Sequence, residues 1–119
     1  MGYQDDYMVN NIKDTARLIT KLLFGEAKMP DYRATGTDPE RERLFETVMD
    51  LADQGSINEA ENMLLTEAGD TRDDLELMLT FYLHLNDMDT DFLDNHDYSR
   101  EEVLDGLRNV AEDWGVSGI

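Results

Sequence analysis

Three aspartates at alternating positions, Asp87, Asp89 and Asp91, have the spacing with which a calcium loop begins, because side chains two apart can converge oxygens on one hard cation. Such a loop also needs glycine at its sixth position and a bidentate glutamate at its twelfth, and here those places hold Phe92 and Tyr98. The triplet therefore predicts helix capping around an acidic turn, and no metal ligand is expected. His84 and His96 are the two side chains able to act as acid, base or ligand near neutral pH. His84 stands one turn from Thr80 and two from Glu76, which predicts a partly buried, hydrogen-bonded residue. His96, among Asp94, Asn95 and Asp97, predicts a loop residue. No serine sits in a strand-turn-helix elbow, and the glycines do not form a phosphate-cradling loop. There is no cysteine, and with 28 acids in the chain close carboxylate pairs arise by chance. No catalytic, cofactor-binding or metal-binding residue is legible, so the expectation is a protein that is not an enzyme and carries no cofactor.

The element that would have to position any site is the stretch from Asp73 to Asp87. On a helical wheel of about 100° per residue its polar side chains Asp73, Glu76, Thr80, His84 and Asp87 fall within a stripe roughly 80° wide. Leu75, Leu77, Met78, Leu79, Phe81, Tyr82, Leu83 and Leu85 occupy the rest of the circumference. A helix apolar over so much of its surface is buried, so other helices must surround it.

Those helices are legible from caps and periodicity. Asp5 or Asp6 suits the amino end of a first helix running to Phe24, with Val9, Ile12, Ala16, Ile19 and Leu23 on its apolar face and Gly25 as its stop. Lys13, Arg17 and Lys21, four apart, form a basic ridge on its flank. Residues 25–37 read as a long loop, anchored by Tyr32. Asp38 followed by Pro39 opens a second helix that carries Leu44, Phe45, Val48, Met49, Leu51 and Ala52 and ends at Gln54 and Gly55. Ser56 with Glu59 has capping-box spacing for a third helix through Ile57, Ala60, Leu64 and Leu65, ending at Gly69. So short a turn makes the second and third helices an antiparallel hairpin. Past the central helix, residues 89–93 can form one helical turn with Phe92 inward. Ser99 with Glu102 is a second capping-box pattern, opening a last helix with Val103, Leu104, Leu107, Val110, Ala111 and Trp114 facing the core and Gly115 ending it. Gly106, inside that helix, costs about 1 kcal/mol relative to alanine, which predicts close approach to a neighbouring helix. The methionines, including Met49, Met63, Met78 and Met88, and the aromatics Tyr7, Tyr82 and Trp114 are expected in the interior.

The chain has 119 residues and a net charge of −18. That charge repels phosphate and anionic lipid, so neither direct nucleic-acid binding nor membrane binding is expected. Residues 1–33 sum to zero, and the whole excess lies from Ala34 onward. A neutral first helix could thus dock electrostatically on an acidic remainder. With no apolar run long enough to cross a membrane, no secretory leader in its first residues and no cysteine, a cytoplasmic protein is expected.

At the hairpin of helices two and three the chain resembles a tetratricopeptide unit: Leu44, Leu51, Gly55, Ala60 and Leu64 match that family's packing series over about 30 residues. It departs where the family places a small residue, at Val48, and where its closing proline would stand, at Arg72, and a second repeat does not follow. Over its whole length the chain is similar to a family of small acidic bacterial proteins classed as a domain of unknown function. The matching features are Tyr3, Gln4, Asp6 and Tyr7 at the start, residues 55–62, and Asp97, Ser99, Glu101 and Glu102 near the end. That resemblance implies a compact helical protein and no activity.

The expected fold is all-α. It is one helical domain over residues 1–119, built as a compact bundle of four long helices plus a short fifth, with no sheet. The first helix spans about 6–24, the loop about 25–37 and the helical core about 38–115. The expected role is a protein-interaction or adaptor module, with another protein as partner and a homodimer through the first helix as a further option. The alternatives are an acidic mimic of nucleic acid that binds a basic protein, and a metal-binding regulatory domain.

Overall fold

In the computed structural model, which describes residues 3–26, 28–33 and 36–119, α4 (Arg72–Asn86) is the element that the others cover. Leu75, Leu77, Leu79, Phe81, Tyr82 and Leu85 are wholly buried. The covering helices are α1 (Tyr3–Phe24), α2 (Pro39–Asp53), α3 (Ile57–Glu67) and α6 (Arg100–Asp113), with α5 (Thr90–Asn95) as a short link. Among the described residues there is no strand. The described residues form six helices, five long and one short, rather than four plus one. Each periodic segment is a helix in its own right, because Gly55 at φ +97° ends α2 and lets the chain reverse before α3.

α4 packs against α1, α2 and α6, and α3 packs along α2. The first helix begins at Tyr3, ahead of the expected caps, so Asp5 and Asp6 lie inside it near its positive end. At its carboxyl end the Arg72 guanidinium of α4 lies 4.4 Å above the Phe24 ring. Among the described residues no ion pair joins α1 to the rest, and Arg17 pairs with Asp14 of the same helix at 3.0 Å. Ile12, Ala16 and Ile19 are fully buried, and the side-chain amide of Asn86 donates to the Val9 carbonyl at 3.1 Å. Tyr7 stays exposed, contrary to its expected place in the interior. Its direction on the helix is set by those buried residues, which lie on the other side.

The polar stripe of α4 turns out to be a docking line. Glu76 accepts from the backbone amide of Asp31 at 3.1 Å, Thr80 accepts from that of Tyr32 at 2.8 Å, and His84 pairs with Asp53 of α2 at 2.6 Å. Two loop amides thus find partners on α4, while the Tyr32 ring packs on Phe45 with centroids 5.0 Å apart. Tyr32 does anchor the loop, in which residues 27, 34 and 35 lie outside the described residues.

Capping differs from the sequence expectation at two helices and agrees in part at a third. Ser56 makes no side-chain cap to α3, because its backbone is not extended and its amide instead donates to the Leu51 carbonyl, closing α2. The full capping box belongs to α4, where the Thr71 hydroxyl accepts from the Asp74 amide and the Asp74 carboxylate accepts from the Thr71 amide. At α6, Ser99 caps the Glu102 amide at 3.2 Å.

Candidate functional site

The residues singled out by type lie apart from one another. Asp87 caps the end of α4, Asp89 precedes α5 and Asp91 is in its first turn, all three exposed. Among the described residues no group of three or more histidines and acids is arranged to hold a metal ion. His96 ends α5, its Nδ1 lies 2.7 Å from the Phe92 carbonyl, and its ring packs on that of Phe92 and over the backbone of Gly55. Met78 is buried, and Met49, Met63 and Met88 pack against the core.

The polar side chains that the fold does bring together are ones the sequence reading passed over. At the amino ends of α2 and α4, Arg41 donates from Nε to Asp74 at 2.9 Å and from Nη2 to Thr71 at 3.2 Å, with Asp38 3.2 Å and Asp73 3.7 Å away. Burial would raise the Asp74 carboxyl, but the hydrogen bonds from Arg41 and Thr71 outweigh it and hold the group below the usual carboxylate range. Arg41 is raised by the same bond with Asp74. At the other end of α4, Arg100 donates to the carbonyls of Asn86 at 2.7 Å and Met88 at 2.6 Å, satisfying acceptors that the helix end leaves open. Both arginines clamp helix ends.

A third cluster lies at a surface. Glu61 of α3 accepts from the hydroxyls of Tyr82 at 2.6 Å and Tyr98 at 3.1 Å. Both phenols are pushed well above the ordinary tyrosine range, by burial first and then by the Glu61 carboxylate. Gly106 of α6 admits the Tyr82 ring: a Cβ there would stand 2.3 Å from Tyr82 Cε1, the close approach expected of this glycine.

Because α3 packs on α2 while α6 packs on α4 and α1, α4 is left as the floor of a groove between α3 and α6. Two clefts, of about 450 and 330 Å³, share Leu65, Val110 and Asp113 and so form one channel. Leu65, Met78, Val110 and Trp114 give it apolar surface, and Leu65 is half exposed. Its rim carries Glu61, Asp70, Glu102, Asp105 and Asp113, and no basic side chain lines it. Glu102, Asp105, Asn109 and Asp113 recur at helical spacing, so they make one ridge about 17 Å long on α6. The apolar signal was present in Leu65 and Trp114. Their convergence was not, since it depends on α3 leaning on α2.

This geometry can hold an apolar stripe flanked by positive charge. Among the described residues no helix is long and apolar enough to cross a membrane. No curated protein and no solved structure is detectably similar to the chain. A family model does match residues 2–115, under the description Family of unknown function (DUF6483), and the chain belongs to that family.

Proposed function

We propose that the protein is a non-catalytic interaction module whose groove between α3 and α6 takes a basic amphipathic segment of a partner protein. The observation that carries this reading is the pairing of an apolar lining with five carboxylates and no base. An amphipathic helix laid in such a groove buries its apolar face on Leu65, Val110 and Trp114 and sets lysines or arginines against the α6 ridge. Charge of one sign along a cleft also speeds encounter with a partner of the other sign. The tetratricopeptide-like spacing of Leu44, Leu51, Gly55, Ala60 and Leu64 supports an adaptor role.

Trp114 is the single tryptophan and lines the groove, so its fluorescence reports occupancy. A short helical peptide of leucine and lysine should change that emission saturably, and a peptide with the same apolar face but glutamate in place of lysine should not. Asp105→Lys with Asp113→Lys should weaken binding roughly tenfold or more, while Glu46→Lys with Asp50→Lys on α2 should have little effect. Equal weakening by both pairs would reduce the interaction to net charge and remove the groove from it. Absence of any response from Trp114 would do the same.

A further inference from the structure

Of the four large apolar side chains exposed among the described residues, three lie on α1: Tyr7 at 68%, Leu18 at 42% and Leu22 at 54%. At about 100° per residue they fall within a stripe about 60° wide and about 22 Å long. Ile12, Ala16 and Ile19, on another side of the same helix, are already committed to the core. The stripe is therefore a second apolar face of α1, left exposed among the described residues. It is separate from the groove of the proposed function, which α1 does not line.

Charge identifies what can cover it. Two molecules of net charge −18 repel each other across most approaches. Within residues 3–24, however, Asp5, Asp6 and Asp14 balance Lys13, Arg17 and Lys21, so α1 is a neutral strip on an acidic body. The balance is also polar along the helix, with acids toward the amino end and Lys21 at the carboxyl end. Parallel pairing would set Lys21 against Lys21 and align the two helix dipoles. Antiparallel pairing sets Lys21 near Asp6 and opposes the dipoles.

We propose that α1 pairs antiparallel with α1 of a second copy of this chain about a two-fold axis, with Tyr7 of each copy against Leu22 of the other and Leu18 beside Asn11. The contact is isologous, as a closed dimer requires. A stripe this short falls below the area of a standard stable interface, so the dimer depends on concentration.

Sedimentation of the full chain should show a mass rising from 13.7 kDa toward twice that value as concentration is raised from about 1 to about 500 µM. Leu18→Glu with Leu22→Glu should remain at the single-chain mass throughout, with unchanged helical circular dichroism, and Leu65→Glu should dimerise like the parent. Because the chain has no cysteine, geometry can be tested by disulfide trapping even if the glutamate variant fails to fold. A mixture of Tyr7→Cys and Leu22→Cys chains should cross-link, and each alone should not. A parent chain that stays at 13.7 kDa over the whole range overturns the proposal. So does a folded α1 variant that still dimerises, a dimer lost with Leu65→Glu instead, or Leu22→Cys linking to itself as fast as the mixture links.

Discussion

The Tyr82 ring occupies the space that a side chain at position 106 would need: a Cβ on Gly106 would stand 2.3 Å from Cε1 and 2.8 Å from the hydroxyl oxygen. In an open helix, Gly→Ala stabilises by about 1 kcal/mol. Here the ring is fully buried and its hydroxyl is tied to Glu61, so it has nowhere to swing. Gly106→Ala should therefore destabilise the protein by about 2 kcal/mol, read from the urea midpoint. In a Tyr82→Leu background the same change should be neutral or stabilising. A penalty of equal size in both backgrounds would show that the ring is not its cause.

The Arg41–Asp74 pair predicts a specific acid response. Asp74 is held below its ordinary range by Arg41 and Thr71 against the opposing effect of burial. A lowered folded pKa means that the unfolded chain takes up the proton first as pH falls. The stability contributed is thus fully present above the unfolded value, about 4, and lost as pH drops from there through the folded value. Asp74→Asn should flatten the urea-midpoint profile in that acid window. At neutral pH it should cost about 2 kcal/mol, because Arg41 loses the carboxylate bonded to its Nε while Asp38 and Asp73 still offset its charge. An unchanged acid limb would mean that other carboxylates govern it.

Gly55 and His96 join the turn after α2 to the end of α5. A Cβ on Gly55 would meet His96 Cδ2 and Nε2 at 2.2 Å, and the backbone there has φ +97°. Gly55→Ala carries two separable costs, a strained backbone of about 1–2 kcal/mol and the clash with the ring. Thermal unfolding of Gly55→Ala with and without His96→Ala should recover only the second. Full recovery in the double variant would mean that the backbone tolerates alanine at this φ.

The buried status of α4 was legible because an apolar arc that wide has no other solution, and Gly106 signalled a close approach because glycine in a helix needs a reason. Asp38–Pro39 and Ser99 announced helix starts for the same local reasons, and both side chains do cap. The capping box at Thr71 and Asp74 was missed because aspartate stands where the familiar pattern has glutamate. Ser56 matched that pattern and makes no cap, because its backbone is taken up in closing α2.

What the amino-acid order determined by itself was therefore whatever depends on neighbours a few residues apart: helix positions, apolar faces, most ends, and the acidic character of the surface. Only the tertiary structure decided that Arg41 meets Asp74 across 33 residues, that Tyr82 meets Glu61 across 21, and that α3 leans on α2 and leaves a groove beside α6. Helical periodicity says which way a side chain points from its own axis. It says nothing of which other axis lies in that direction, and that choice is made by packing all the faces at once.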